Sequence, residues 1–270
     1  MTTVTAARPP TARTIGFANL LHSELTKLRS VRSTYWTAAT AVLTALGATA
    51  LICRQWQVNL ISGKDSLDGF DATLTSINGL YLAQIAAGAL GVLVISSEYG
   101  TGMIRATMSA VPQRRAVLAA KGVVFAACTL VVGEMLSFTS FGLGQAILAP
   151  AHASVGLGHP GTLRAVMGGG LYLTAVGLLG FGLGALIRHT AGALSAFFGV
   201  LFASTALVDL LPTSWRNTVI DYMPANAGSQ ILTTVPTDSA LGPWTGLGVL
   251  CLYAGVAVAA ALVLVSRRDV

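Results

Sequence analysis

Residues 94–121 read VISSEYGTGMIRATMSAVPQRRAVLAAK, and the fold turns on what this stretch joins. An apolar run ends at Ile95, and a charge, Glu98, follows closely. Met103, Ile104, Thr107, Met108 and Val111 then recur at helical spacing, which predicts a short helix with one apolar face. Arg105 and Ser109 lie off that face. Pro112 ends the helix, because proline lacks an N–H and disfavours helical backbone in the residue before it. Arg114, Arg115 and Lys121 come next, and a second long apolar run begins at Gly122. A short amphipathic helix at a basic membrane surface, between two spans, is a place where a soluble partner can push on a membrane bundle. An ordinary loop obeying the charge rule for topology has the same pattern, so the residues leave both readings open.

Composition says what the flanking runs are. Of the 270 residues 54% are hydrophobic and 10% charged, with a mean hydropathy of +0.72. An ordinary globular domain is about 25% charged. Such a chain belongs in a bilayer, with too little polar sequence left for a soluble domain. A spanning helix needs about 20 apolar residues. Six runs qualify: Tyr35–Cys53, Ile77–Ser97, Gly122–Gln145, Ala165–Ile187, Ala191–Leu211 and Trp244–Val265. The fold class expected is an all-α integral membrane protein. Residues 1–34 form a tail and an interfacial helix, and residues 35–270 a transmembrane domain with a loop at 98–121 and an outer segment at 212–243.

Ile15 to Arg32 reads as an amphipathic helix. Phe17, Leu21, Leu25 and Leu28 share one face, and Ser23, Glu24, Lys27 and Ser30 lie away from it. Lys27, Arg29 and Arg32 would rest on anionic headgroups. A plain extension of the first span is the other reading. The Thr-, Ala-, Pro- and Arg-rich residues 1–14 are expected to be disordered and do not make a signal peptide.

Charge sets the orientation. With the N-terminus inside, 12 Lys and Arg fall on the cytoplasmic side and 4 outside, which predicts cytoplasmic termini. Asp65, Asp68 and Asp71 in the outer stretch 54–76 are spaced by three rather than by the two of a calcium loop, so a solvated acidic loop is expected. Pro212, Pro224, Pro236 and Pro243 cut the outer segment into pieces of helical length. Trp215, Val219, Ile220 and Met223 give one piece an apolar face, and Ile231 and Leu232 another. Two short apolar-faced helices are read there, with a mobile loop as the other reading. Gly168–Gly170, Gly180 with Gly184, and Gly242 with Gly246 permit close helix approach.

One carboxyl lies deep in the membrane. Glu134 sits mid-way along the third span, followed by Ser137, Thr139 and Ser140. An ionised carboxylate there costs about 2.5–3.5 kcal/mol, and no Lys or Arg lies at its depth. It would carry a proton, bond to a group such as Gln84, or face a wet cavity. A role on a substrate or proton path and a structural hydrogen bond both remain open. Asp209 is expected to reach the surface or pair with Arg216. Cys53, Cys128 and Cys251 are far apart, and His22, His152, His159 and His189 form no ligand motif, so no metal site is read. No catalytic set and no cofactor site is read either. Gly63-Lys64 runs into Asp65, so no phosphate-cradling loop exists, and any ATPase would be a separate polypeptide. Basic residues without interleaved aromatics give no nucleic-acid partner.

Glu98-Tyr99-Gly100-Thr101, Arg105, Pro112-Gln113-Arg114 and Lys121 together resemble the cytoplasmic-loop signature of type-2 ABC transporter permeases. Ser23-Glu24-Leu25-Thr26-Lys27-Leu28-Arg29-Ser30 is similar to that family's opening segment, and 212–243 resembles the outer helices before its sixth span, which implies a hydrophobic lid half-sunk in the outer leaflet. The resemblance implies the permease subunit of a bacterial exporter in the cytoplasmic membrane. It implies a coupling helix with Glu98, Gly100, Thr101, Met103, Ile104, Arg105, Met108, Pro112, Arg114 and Arg115 at the contact with an ABC-type ATPase subunit. ATP and Mg would sit on that subunit, and a second permease subunit would complete the unit. The substrate implied is amphipathic or lipid-like: a drug, antibiotic, lipid or peptide. The residues alone leave a proton-coupled transporter using Glu134, or a membrane scaffold, as alternatives.

Overall fold

The computed structural model describes residues 16–30, 32–100, 102, 113–208, 210, 212–235 and 241–267. The described residues are helical throughout their ordered elements, and no strand occurs among them. In chain order the helices are α1 (Phe17–Ser30), α2 (Arg32–Ile61), α3 (Ala72–Ser76), α4 (Leu80–Gly100), α5 (Arg114–Leu148) and α6 (Thr162–Ile187). Then come α7 (Thr190–Phe198), a π-helical turn (Gly199–Ala203), α8 (Ser204–Val208), α9 (Thr213–Asp221), α10 (Pro224–Ser229) and α11 (Pro243–Arg267). Six helical stretches are long and apolar enough to cross a bilayer: Tyr35–Ile61, Leu80–Gly100, Arg114–Ala151, Thr162–Ile187, Thr190–Val208 and Pro243–Val265. The chain is by this measure a multi-pass membrane protein.

The six runs read from composition each fall on one of these helices, but two helices extend well beyond their apolar run. α2 continues past Cys53 to Ile61 because its polar side chains bond along the helix. Arg54 Nη1 donates to Gln57 Oε1 at 2.5 Å, and Gln55 Nε2 to Asn59 Oδ1 at 3.0 Å. Trp56 packs on Phe70 with ring centroids 4.8 Å apart. α5 begins at Arg114 rather than Gly122, so Lys121 is a buried helix residue and not a loop residue.

α6 is the central helix, with 67% of its most apolar window buried. Glycine is what allows its neighbours so close. A Cβ on Gly91 of α4 would collide with the Gly177 carbonyl, and one on Gly180 with the Gly88 carbonyl. The backbones of α4 and α6 therefore touch where larger residues would hold them apart. Gly180 and Gly184 both face α4, as their spacing suggested. Gly246 behaves differently: it lies against the Ala227 carbonyl of α10 and seats a short helix rather than a second span.

At the end of the bundle opposite α1, the outer stretch is not a solvated acidic loop throughout. Asp68 is exposed, but Asp71 is half-buried and fully engaged. It caps α3 by accepting from Leu74 N at 2.8 Å. It also accepts from Thr234 N (2.6 Å), Thr234 Oγ1 (2.7 Å) and Val235 N (3.1 Å). Arg164 reaches the same segment from α6, donating to Ile231 O at 3.2 Å and Thr233 O at 2.7 Å. Ile231 and Leu232 are fully buried against Val166, Tyr172 and Leu250 in the core rather than lying in the outer leaflet. Their expected place on a half-sunk lid is corrected: they plug the bundle. Trp215 on α9 does remain exposed. Asp209 lies outside the described residues, and with it the expected pair to Arg216.

Candidate functional site

Four charged side chains meet where α1, α4 and α5 converge. Lys121 Nζ on α5 bonds Glu24 Oε2 of α1 at 2.5 Å and Glu98 Oε1 of α4 at 2.8 Å. Lys27 Nζ bonds Glu24 Oε1 at 2.8 Å and lies 3.7 Å from Glu98 Oε1. The Lys121, Glu24 and Glu98 side chains are 6%, 5% and 8% exposed, so the cluster is dry apart from Lys27. Two carboxylates and two ammoniums balance, which is what makes burial of so much charge tolerable. Glu98 Oε2 is buried with no hydrogen-bond partner among the described residues.

The local sequence explains the placement. Leu20 and Glu24 are four residues apart and share the face of α1 that packs on Val117 and Ala120 of α5. Phe17 is 46% exposed, and Glu24, expected off the apolar face, is buried. Pairing is the reason, since Lys121 gives that carboxylate a partner inside. Burial alone would push the Glu24 carboxyl up, but Lys121 and then Lys27 outweigh it and hold it below its ordinary 4.5. Burial would lower Lys27, and the Glu24 and Glu98 carboxylates instead raise it above 10.5.

The end of α4 is tied to a fourth element. Thr190 Oγ1 at the start of α7 donates to Ser96 Oγ at 3.0 Å. The Arg188 guanidinium, after α6, sits 5.1 Å from the centre of the Tyr99 ring, a cation–π contact. Ser96, Glu98 and Tyr99 thus join α4 to α1, α5 and the α6–α7 turn immediately before residue 101.

The structure brings Glu98 and Lys27 into this cluster. Gly100 ends α4, and Arg114 and Arg115 open α5. Thr101, Met103, Ile104, Arg105, Met108 and Pro112 lie outside the described residues. Arg29 is in α1 and Arg32 begins α2, but their side chains also lie outside the described set. Glu98 and Lys121 stand in one sequence motif and Glu24 in another, and neither motif says that the three bond one another. A signal was present: Glu98 and Lys121 stand at the edges of apolar runs, and their signs are opposite.

Glu134 is not hydrogen-bonded to Gln84. The Gln84 Oε1 is taken by the Tyr172 hydroxyl, and Ser137 Oγ donates to Val166 O at 2.6 Å. Glu134 lies instead against the bare backbone of Gly170, where an added Cβ would come within 2.5 Å of its carboxyl carbon. Its Oε2 is buried with no partner among the described residues.

No protein-family model matches the chain, and no curated protein matches it.

Proposed function

We propose that the chain is the permease subunit of an ATP-binding cassette exporter, moving an amphipathic or lipid-like molecule and driven by a separate ATPase subunit. The observation that carries this reading is the Glu24–Lys121–Glu98 cluster. It ties α1, α4 and α5 into one block on both sides of residues 101–112, the stretch whose sequence predicts a short amphipathic helix. A push on that helix is then delivered to two spans and the N-terminal helix together rather than absorbed in a loose loop. The 12-to-4 distribution of Lys and Arg supports placing this end in the cytoplasm, where an ATPase is found. The active unit in this reading is two permease subunits with two ATPases, and ATP and Mg belong to the partners.

The unpartnered carboxyl of Glu134 favours a second reading, a proton-coupled transporter. One measurement tests the orientation, and a second separates the two readings. Cysteines at Gly63 and Ser239 react with an impermeant thiol reagent in intact cells and one at Ser109 does not, if the orientation is right. Transport that stops with vanadate and survives collapse of the proton gradient supports the ABC reading; the reverse pattern supports Glu134 as a proton carrier.

A further inference from the structure

An open cavity of about 490 Å³, with a mixed polar and apolar lining, lies between α4, α6, the π-helical turn with α8, and α10, at the end of the bundle away from the charge cluster. Its wall carries Tyr81, Gln84, Tyr172, Thr205, Asn226 and Ser229, and no charged residue among the described residues. Several of these have hydrogen-bonding capacity left over. Gln84 is 4% exposed and gives its Oε1 to the Tyr172 hydroxyl, leaving its amide nitrogen without a partner among the described residues. Turning the amide round merely leaves the oxygen free instead. Thr205 Oγ1 is buried with no hydrogen-bond partner among the described residues. Asn226 spends its amide nitrogen on Ile220 O at 3.1 Å, which leaves its side-chain oxygen as an acceptor.

The cavity is built by named features. Phe197 packs against Gly88, where any Cβ would overlap the ring, and this holds α7 close to α4 one turn before Leu201. Directly beyond it the helix widens, with Ser204 N bonding Gly199 O across the π turn. Such turns are rare and recur at functional sites, because the extra residue bulges the helix wall. Leu201, Phe202, Ala206 and Ala225 supply an apolar lining beside the polar groups. A buried amide left half-paired is costly in an empty site, and a ligand that pairs it recovers that cost.

We infer that this cavity is a binding site for an uncharged amphipathic molecule bearing a hydroxyl or amide, which accepts from Gln84 or Thr205 and donates to Asn226. Its volume falls in the range of about 300–1,000 Å³ of small-molecule pockets. No charged group lies on the wall among the described residues, so an uncharged ligand suits the groups that are there. As the substrate site of an exporter it rests on the permease reading; as a binding site it does not.

The test is photolabelling of the full chain in lipid nanodiscs with azioctanol, a photoactivatable eight-carbon alcohol. Saturable label falls on peptides holding Tyr81, Tyr172 or Phe202, and unlabelled octanol displaces it while octanoate and octylammonium do not. Thr205→Val removes only an unpaired hydroxyl, and Ala206→Phe fills the mouth from an exposed position, so both variants fold. The first weakens saturable labelling about fivefold, the factor for one net hydrogen bond, and the second abolishes it. Label that is unsaturable and spread over lipid-facing helices, or that is unchanged in both variants, or that octanoate displaces equally, overturns the inference. Saturable label without any partner ATPase leaves the site standing and removes the permease reading; a co-purifying ATPase without saturable label does the opposite.

Discussion

A carboxylate ties distant segments together at each end of this bundle, and the two ends use different chemistry. Asp71 spends its oxygens on neutral donors, mostly backbone N–H groups of α3 and of residues 234–235. Glu24 and Glu98 spend theirs on ammonium groups and share Lys121 between them. Backbone donors are fixed by the fold, so Asp71 holds the buried plug of Ile231 and Leu232 in one position. An ammonium on a flexible stem has several equivalent donors and can exchange oxygens, and Glu98 Oε2 stands unused beside it. The difference teaches that one end is held by donors fixed in the backbone and the other by side-chain charges that must balance.

The comparison breaks most visibly at Lys121. Lys121→Met leaves two buried carboxylates facing each other and costs about 3–5 kcal/mol, seen as a large fall in the thermal midpoint of the detergent-solubilised chain. Adding Glu98→Gln recovers part of the loss, because one orphaned charge is gone. Equal damage with and without Glu98→Gln would mean that the cluster is not acting as a charge balance.

Asp71→Ala comes next. It removes acceptors for four donors and costs about 2–4 kcal/mol. Hydrogen exchange then accelerates over residues 230–235 and stays unchanged over residues 17–27. Acceleration at both ends would show that the two are one cooperative unit and not separate devices. Arg164→Gln loses the guanidinium donors to Ile231 O and Thr233 O, for about 1–2 kcal/mol, with exchange faster in the same short segment.

The smallest effect is the pH response of the charge cluster. Glu24 titrates below 4.5 in the folded chain, so its contribution to docking α1 is full above that pH and fades as pH falls through the lowered value. Lys27 titrates above 10.5, so its contribution is full below that pH and fades as pH rises through the raised value. Exchange protection in α1 is therefore flat between the two and declines outside them. A decline centred near neutrality would assign the docking to other groups.

Much of the fold was legible because bilayer helices announce themselves by apolar runs, and all six runs fell on helices. Their ends were not legible. α2 is prolonged by Arg54–Gln57 and Gln55–Asn59 pairs, which hydropathy scores as polar loop. The first turns of α5 hold Arg114, Arg115 and Lys121, which look like loop until Lys121 is seen to be paired inside. The candidate site was half legible. Glu98 and Lys27 were singled out, but pairing across α1, α4 and α5 is a tertiary fact that periodicity within one helix does not carry. Asp71 failed for the same reason: its partners at 234–235 are far along the chain, and spacing within the loop said nothing of them.

The central claim is that residues 101–112 receive a partner's push, and co-purification tests it most directly. The tagged chain is isolated from its native membrane, and the ATPase retained and its turnover in lipid are measured for the wild type, Ile104→Asp and Met108→Asp. The sequence predicts both residues on the apolar face of a short helix between two spans. The account predicts that the wild type retains a vanadate-sensitive ATPase and that each variant inserts normally yet loses it or its turnover. Retention and turnover at wild-type levels in both variants, or no ATPase with the wild type, would contradict it.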